Sequence, residues 1–569
     1  MSAAQPLSSA RMLAMKRSDV AIGLAVACWF ALFVVTTSGA VPGKLPSGAL
    51  DWLLMALLHL PFITILCFLA VGFFERFDYF RVIRQPHQPG VLPCAPPLVC
   101  IQLPMFNEDA VAERIISAAV AMEWPVEALE VQVLDDSTDA ATRERVRAFC
   151  LEIAQRTGVD CRWIHRVDRK GYKAGALEAG RKASKAEYFA IFDADFLPPA
   201  DFLARAIPHF YDGAGRSIDD LAVVQAQWGH LNDGESFLTQ AQAMWVDDHH
   251  TIQKTWRSTM IGFVNFTGTA GVWRAQAIEN AGGWRAASLV EDCELSVRAL
   301  LAGYRTRFVG SIIAPAELPQ TIAAYRSQQK RWTQGWAQLQ RMHFPTLLRR
   351  YRTGLLRRIY LLYFAGIAAQ WALWTVWILV MPFLIASGLW LGAFGTSYAM
   401  TAYVAPPLFF AVFAALIAAN EAKATYAAQT HCTPATSLAR FGRLVPYMIV
   451  NTGMMPHHFC AYLEGMFGPL HAEFVRTPKT ASTGGMAFAG SANAAQSLAP
   501  PRKKPASNRP YLRFELFFCA TLVAWAGWFL HLGLLAAAMW AAWIVVCIIG
   551  LRIAPHLNAH SRKGISNAG

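Results

Sequence analysis

Long apolar runs flank one long stretch of ordinary polar composition along this 569-residue chain. A helix needs about 20 predominantly apolar residues to cross the hydrocarbon core of a bilayer. Runs of that kind predict six membrane spans, at about residues 20–41, 52–74, 359–387, 400–420, 513–531 and 532–551. The second and third spans are separated by nearly three hundred residues, enough for a domain with its own core. The pattern predicts a water-facing domain inserted into an α-helical membrane domain.

Within the inserted domain, apolar strands run into polar loops and alternate with helical stretches. The predicted strands lie in "LVCIQLPMFNE" (98–108), "LEVQVLDDSTD" (129–139), "AEYFAIFDADF" (186–196) and "LAVVQAQW" (221–228), with helices at 110–122 and 142–158. Such alternation predicts a mainly parallel α/β sheet, in which ligands bind beyond the carboxyl ends of the strands. The polar residues that collect at those ends are Asn107, Glu108, Asp135, Asp136, Asp193 and Asp195.

Shifts in composition divide the chain into six predicted regions. These are 1–94 with two spans, 95–320 as the α/β domain, 321–358 as amphipathic interface helices, 359–480 with two more spans, 481–510 as a flexible linker, and 511–569 with two spans and a short tail. The linker is assigned because it is rich in small, polar and proline residues.

The bulk composition excludes a typical soluble protein and a disordered one, since 55% of residues are hydrophobic, 16% are charged and the mean hydropathy is +0.30. Lys and Arg collect beside the predicted spans, as at Arg76, Arg81 and Arg84, whereas the 388–400 loop has no charge. This distribution predicts that the α/β domain and both termini are cytosolic. The net charge of +13 therefore requires no nucleic-acid partner, because much of it lies where it meets anionic membrane lipid.

Pairs of carboxylates follow two of the predicted strands. "FDADF" places Asp193 and Asp195 two residues apart, where carboxylates can hold Mg²⁺ or Mn²⁺ and leave positions open for phosphate oxygens. A single D-x-D is commonly a solvated turn, and Asp135 and Asp136 in "LDDST" are equally weak alone. Two such strand ends in one sheet, with cations downstream, favour a nucleotide-diphosphate site.

Three other segments each have a functional and a structural interpretation. Glu291 and Asp292 open a predicted helix, either as acids favoured at a helix N-terminus or with Asp292 as a general base. Lys170 and Lys173 in "RKGYKAGALEAG" are either a basic helix start or phosphate ligands. "GFVNFTGTAGVWR" (262–274) is either a hairpin or a lining for a sugar.

Adjacent histidines occur twice, at His249/His250 and at His457/His458. Neighbouring side chains point to different faces, and no third ligand follows at a recognisable spacing. These pairs are therefore not predicted to bind metal.

Taken in order, "LDDSTD", "YKAGAL", "DADF", "FTGTAGVWR", "VEDCEL" and "QQKRW" resemble the processive inverting family 2 glycosyltransferases of the cellulose synthase group. The sequence of residues 266–304 resembles most the plant cellulose-synthase-like A and C branches, which are mannan and glucan synthases, and their bacterial relatives. The resemblance covers roughly residues 97–480 and implies a GT-A type glycosyltransferase domain.

The resemblance implies a role for each matching residue. The nucleotide and its diphosphate would be bound by Asp135, Asp136, Lys173, Asp193, Gln328 and Arg331. Asp195 would ligate the metal, and Asp292 would be the catalytic base. The acceptor sugar would be bound by Trp332, Thr267, Gly268, Thr269 and Glu291. "EFVRTPK" (473–479) resembles a gating loop that folds over the nucleotide through Thr477 and Lys479. That loop must be cytosolic, so 444–468 is interpreted as an interface helix and not as a seventh span.

Three departures from cellulose synthases leave donor and product open. "DDST" stands in place of D-D-G, "FTGT" in place of F-F-C-G-S, and Val290 in place of the Thr of T-E-D.

The first hypothesis is an integral protein of a bacterial inner membrane that transfers a hexose to a growing β-linked polysaccharide and secretes the product through its own channel. UDP-glucose is the favoured donor, GDP-mannose the other candidate, and Mg²⁺ or Mn²⁺ the cofactor, with accessory export proteins as possible partners. A second hypothesis makes the acceptor a lipid. A third hypothesis is a transporter or scaffold with a degenerate cytosolic domain. A transporter is disfavoured because the predicted spans carry almost no charge, and degeneracy is disfavoured because the carboxylate set is intact.

Overall fold

The computed structural model describes residues 47–82, 87–108, 111–349, 351–387, 443–470, 509–532 and 535–566. The predicted spans at 20–41 and 400–420, most of the predicted linker, and the gating-loop residues Thr477 and Lys479 lie outside these ranges.

A seven-stranded sheet forms the centre of the inserted domain. Its strands are β1 (Val99–Met105), β2 (Leu129–Asp135), β3 (Asp160–His165), β4 (Tyr188–Ile191), β5 (Leu221–His230), β6 (Gly271–Arg274) and β7 (Arg305–Ala316). They lie in the order β3-β2-β1-β4-β6-β5-β7, and β6 alone runs antiparallel to its neighbours. The mainly parallel α/β sheet predicted from the sequence is confirmed, as are the four predicted strands.

Helices cover both faces of the sheet. In chain order up to residue 301, the helices are α1 (Ala49–Val82), α2 (Ala112–Val120), α3 (Ala140–Thr157), α4 (Tyr172–Lys182), α5 (Phe202–Ala206), α6 (Phe237–Asp247), α7 (Thr255–Met260), α8 (Ala275–Asn280) and α9 (Glu291–Leu301), with a π-helical turn at Asp248–Lys254 between α6 and α7. One face packs on α2, α3 and α5, and the other packs on α4, α8 and α9. Because both faces are buried, the strands are nearly continuous apolar runs, and this made them recognisable in the sequence.

The antiparallel direction of β6 shapes the functional edge of the sheet. Ile191 at the carboxyl end of β4 pairs with Gly271 at the start of β6. The loop that precedes β6 therefore comes to the edge where β1, β2 and β4 end.

The remaining helices are α10 (Ile322–Arg349), α11 (Leu355–Gly366), α12 (Ala369–Ser387), α13 (Leu444–Gly453), α14 (Met455–Phe467), α15 (Arg509–His531) and α16 (Leu535–Ser566). Within the described ranges, Pro510–His531 is the one helix long and apolar enough to cross a membrane, and Leu355–Gly366 with Ala369–Val380, bent by 70°, makes a second if the two form one span. The predicted six-span membrane domain is therefore not confirmed.

The end of α1 is built into the α/β domain. Glu75 is completely buried, accepts a hydrogen bond from Arg257 Nε of α7 at 2.8 Å, and accepts another from the hydroxyl of Tyr360 in α11. Arg76 pairs with Asp248 at the start of the π-helical turn. These contacts hold the sheet domain against α1, which precedes it, and against α11, which follows it.

Candidate active site

A cavity of about 730 Å³ opens at the carboxyl edge of the sheet and continues between the helices that follow the domain. Eleven of the residues expected at the site line it: Asp136, Lys173, Asp193, Asp195, Thr267, Gly268, Glu291, Asp292, Gln328, Arg331 and Trp332. Asp135 and Thr269 lie behind this lining. The structure thus brings together motifs that are far apart in the sequence.

Asp135 shapes the turn after β2. Its side chain is fully buried, and its two oxygens accept hydrogen bonds from the Ser137 backbone N–H at 2.9 Å and from Trp163 Nε1 at 3.0 Å. Both oxygens are therefore used to fix the turn and to hold Trp163 beside it.

Asp136 is held by an arginine that the sequence did not indicate. Arg166 donates from Nε to Asp136 Oδ1 at 3.0 Å and from Nη2 to Oδ2 at 2.5 Å. The same guanidinium donates to the carbonyls of Lys170 and Tyr172, each at 2.9 Å. It thereby supports a loop with left-handed backbone at Arg169 and Tyr172, where φ is 44° and 48°. Arg166 fixes the segment that leads into Lys173.

Lys173 joins three parts of the site at the start of α4. Its Nζ donates to Asp193 Oδ1 at 2.5 Å and to the carbonyl of Gly268 at 2.8 Å. The Asp193 backbone N–H in turn donates to Thr269 Oγ1 at 2.9 Å. The buried Thr269 hydroxyl therefore fixes the end of β4 to the loop before β6.

Gly268 is required by its surroundings. Its backbone is left-handed, with φ at 82°, and a Cβ atom there would stand 2.9 Å from Asp292 Oδ2 and 3.4 Å from Lys173 Nζ. Only a residue without a side chain lets this loop lie between the lysine and the carboxylate.

Glu291 and Asp292 stand together in the first turn of α9. Burial, and then the neighbouring Asp292 carboxylate, raise the pKa of Glu291 to about 7. Burial also raises the pKa of Asp292 above its ordinary value, although the cations of Lys173 and Arg331 oppose this shift. A carboxylate with a raised pKa that faces a cavity has the properties of a general base.

Lys254, at the end of the π-helical turn, is a second functional candidate that the sequence did not reveal. Its side chain is completely buried, and its Nζ donates to Thr267 Oγ1 at 3.1 Å and lies 3.5 Å from the Asn265 carbonyl oxygen. Burial lowers the pKa of Lys254 to about 7. The Thr267 hydroxyl lies between this ammonium and Gln225 Oε1, at 3.1 Å from each. That hydroxyl therefore accepts a hydrogen bond from Lys254 and donates one to Gln225.

The Q-x-x-R-W segment lies on α10. Gln328, Arg331 and Trp332 share one helix face and line the cavity, as the spacing i, i+3, i+4 requires. A Cβ on Gly335 would stand 2.6 Å from Val290 Cγ1, so the glycine allows α10 to pack closely against the start of α9. Gln338 accepts from the Leu289 backbone N–H at 3.0 Å and strengthens the same contact.

Asp193 and Asp195 fit a hard divalent cation. Both line the cavity, and their carboxylate oxygens are the donors that Mg²⁺ and Mn²⁺ prefer. No group of three His, Cys, Asp or Glu side chains that could hold a metal occurs among the described residues. Mg²⁺ is commonly held by one or two carboxylates together with substrate phosphates, and this pair suits that arrangement.

The paired histidines have hydrogen-bonding partners of their own. His250 Nδ1 accepts from the Trp228 backbone N–H at 3.3 Å, and His249 Nδ1 lies 2.8 Å from Gln253 Oε1. His458 Nδ1 lies 2.7 Å from Thr333 Oγ1, and His457 Nε2 donates to the Arg326 carbonyl at 3.0 Å. These contacts give the histidines packing roles.

Comparison with known protein families identifies two matching segments. Residues 100–234 match the family described as "Glycosyl transferase family 2", and residues 188–418 match "Glycosyl transferase family group 2". Together these segments span the sheet and the α10 helix that carries the Q-x-x-R-W residues.

Similar curated proteins come from plants. Glucomannan 4-beta-mannosyltransferase 1 of Oryza sativa is 42% identical over 270 residues, which cover 47% of this chain and 51% of that protein. Glucomannan 4-beta-mannosyltransferase 2 of Arabidopsis thaliana is 40% identical over 51% of this chain and 54% of its own length. Glucomannan 4-beta-mannosyltransferase 1 of Cyamopsis tetragonoloba is 41% identical over 50% and 55%. The matched part is about half the length of each relative.

Among solved structures, a mannosyltransferase from Pyrobaculum calidifontis in complex with GDP-Man and Mn²⁺ aligns over 73% of this chain and 99% of its own. The TM-score is 0.44 and the identity 17%, a likeness too distant to carry an argument.

Proposed function

We propose that this chain, which carries a family 2 glycosyltransferase domain of the cellulose synthase type, transfers mannose from GDP-mannose to the end of a growing β-linked polysaccharide. The proposal rests on one observation: Asp292 lines the same cavity as Lys173, Asp193, Asp195 and Arg331. A carboxylate that can act as a base and cations that can bind a diphosphate therefore line the same cavity, which supports this reaction.

The relatives support the donor assignment. All three glucomannan 4-beta-mannosyltransferases described above are named for mannosyl transfer. They give no support to the sequence-based expectation that UDP-glucose is the favoured donor. They also give no support to a bacterial inner membrane as the location of the protein.

The reaction is a single displacement. Asp292 takes the proton from an acceptor hydroxyl, whose oxygen forms a bond to the anomeric carbon as the bond from that carbon to the diphosphate oxygen breaks. Attack from the face opposite the leaving group inverts the anomeric centre. The departing GDP carries the developing negative charge towards Lys173 and Arg331, whose cations stabilise it. A divalent cation at Asp195 supplies further neutralisation of that diphosphate when bound.

A polymer acceptor agrees with the lining of the cavity. Besides Trp332, the cavity is lined by Trp371 and Trp374 of α12 and by Trp540 and Trp543 of α16. Indole rings offer broad apolar faces on which sugar rings stack. A chain of sugars can occupy such a path and leave through the membrane helices. We propose that the protein is integral to a membrane.

The test supplies the purified full chain in lipid with GDP-mannose, UDP-glucose and other nucleotide sugars in the presence of Mn²⁺ or Mg²⁺. We expect release of GDP together with a product that an endo-β-mannanase degrades. Asp292→Asn should abolish transfer and leave GDP binding nearly intact, because it removes the base without altering the diphosphate site. Release of UDP alone would contradict the donor, and a product soluble in organic solvent would show a lipid acceptor.

A further inference from the structure

Trp332 has an aromatic partner outside the Q-x-x-R-W segment. The ring of Trp245, in the last turns of α6, lies with its centroid 5.8 Å from that of Trp332 and its plane inclined by 27°. The ring of His249 also stacks on Trp245, with 5.6 Å between the ring centroids and 14° between the planes. All three side chains line the cavity. They form a stack of three rings, Trp332–Trp245–His249, with Trp245 in the middle.

The stack restricts how a sugar can meet Trp332. Trp245 is stacked on Trp332 with an offset, so it takes up space beside the Trp332 indole and restricts the approach of a pyranose ring there. Trp245 contacts both of the other rings and is therefore suited to brace Trp332.

The far end of the stack is tied to a buried charge. His249 Nδ1 lies 2.8 Å from Gln253 Oε1, and Gln253 Nε2 donates to Glu75 Oε2 at 3.0 Å. Glu75 is held in turn by Arg257 at 2.8 Å. His249 and Gln253 are four residues apart in the π-helical turn, a kind of structure often found at functional sites. The stack is therefore fixed to the junction of α1 with the α/β domain.

We propose that Trp245 is a positioning residue for the acceptor sugar. By fixing the plane of Trp332, it sets the distance of the acceptor hydroxyl from Asp292, and a misplacement of about 1 Å costs on the order of 100-fold in rate. The inference rests on the proposed function, because it assumes that a sugar stacks on Trp332.

The test compares Trp245→Ala and Trp245→Phe with the wild type, using the full chain in lipid with GDP-mannose. Trp245→Ala should lower mannose incorporation by about tenfold or more, whereas GDP affinity and hydrolysis of GDP-mannose by water stay within about twofold. Trp245→Phe restores a flat ring and should recover most of the incorporation. Trp124→Phe is the matched control, since Trp124 packs in the core of the sheet domain, donates to the Pro97 carbonyl at 3.2 Å and does not line the cavity. It should leave the ratio of incorporation to hydrolysis unchanged.

A binding measurement separates failure of this inference from failure of the proposed function. Intrinsic fluorescence reports binding of a β-1,4-linked mannohexaose without any turnover. We expect Trp245→Ala to weaken that binding and Trp245→Phe to retain it. Equal losses of incorporation and hydrolysis in Trp245→Ala, or unchanged oligosaccharide binding, would overturn the positioning role. Absence of oligosaccharide binding by the wild type would overturn it as well, whereas absence of mannosyl transfer with retained, Trp245-dependent binding would refute only the proposed donor reaction.

Discussion

Gly268 and Asp292 lie so close together that a Cβ atom on the glycine would stand 2.9 Å from the Asp292 carboxylate oxygen Oδ2. The same position is 3.4 Å from Lys173 Nζ, whose hydrogen bond to the Gly268 carbonyl closes the loop against α4. The proposed base and the proposed diphosphate ligand are thus spaced by one residue without a side chain.

Gly268→Ala should therefore damage catalysis more than folding. The added methyl group must displace the Asp292 carboxylate, and the left-handed backbone adds strain. We expect transfer to fall by on the order of 100-fold, because a displacement of about 1 Å misplaces the base. Initial rates with GDP-mannose, beside the GDP dissociation constant, check this. Gly303→Ala is the matched control, since Gly303 also has a left-handed backbone but no atom near its Cβ position. Equal losses in both variants would show that strain alone is responsible.

The pH profile of transfer should have an acid limb above the ordinary range of aspartate. Burial raises the pKa of Asp292, and Lys173 and Arg331 only partly oppose it, so the base becomes protonated and inactive as the pH falls through that raised value. Glu291, whose pKa is about 7, is the neighbouring carboxyl that must be distinguished. Rates of Glu291→Gln across pH 4–9 make the distinction, since its acid limb should persist if Asp292 is the base. Loss of the limb in that variant would assign the titration to Glu291.

Arg166→Ala should weaken both the fold and nucleotide binding. It leaves the Asp136 carboxylate, which is 5% exposed, without its bidentate partner, and removal of one member of a buried pair costs about 3–5 kcal/mol. Thermal unfolding and GDP titration measure the two effects. Arg162→Ala, four residues earlier in β3, is the matched control, because the Arg162–Asp160 pair is exposed and such pairs contribute about 0–1 kcal/mol. Similar behaviour of the two variants would contradict a special role for Arg166.

Lys254→Met should separate stability from activity. The folded state depresses the pKa of Lys254 to about 7, while the unfolded chain has the ordinary value of about 10.4, so between these values the unfolded state binds more protons and stability rises with pH. The variant lacks this dependence. The unfolding temperature of the variant minus that of the wild type should therefore be largest near pH 7 and decrease towards pH 10.

Transfer by Lys254→Met should fall by about tenfold, because Thr267 loses the ammonium that holds it and the loop before β6 is less well fixed. Steady-state rates at pH 7.5 measure this. An unchanged rate would show that the lysine supports only the fold.

The sequence predicted those parts of the fold that have both faces buried. β1, β2, β4 and β5 are apolar runs that end in polar residues, and the structure places those ends around one cavity. Three strands were missed. β3 and β7 lie at the two edges of the sheet, and polar residues such as Arg162 and Ser311 interrupt their apolar runs. β6 is four residues long and lies within a Gly/Thr segment.

The missed site residues follow from the missed elements. His165 of β3 pairs in register with Asp135, so the next residue, Arg166, reaches Asp136. Without β3 in the predicted sheet, that contact has no basis in the sequence. Lys254 and Trp245 belong to no local sequence motif. The π-helical turn brings Lys254 to the 264–269 loop, and α6 brings Trp245 to α10, and both contacts are tertiary.

The buried Glu75–Arg257 pair limits how the chain can be divided. A fragment of residues 95–320, cut at the boundaries predicted from the composition, would keep Arg257 but lose both Glu75 and Tyr360. The apolar side chains beside Arg257 would lose their cover as well, since Trp256 packs on Phe74 and Tyr360, and Phe263 packs on Phe364. We therefore expect a fragment cut at those boundaries to be less stable and more prone to aggregate than the full chain, because the helix that precedes the sheet shares its packed core.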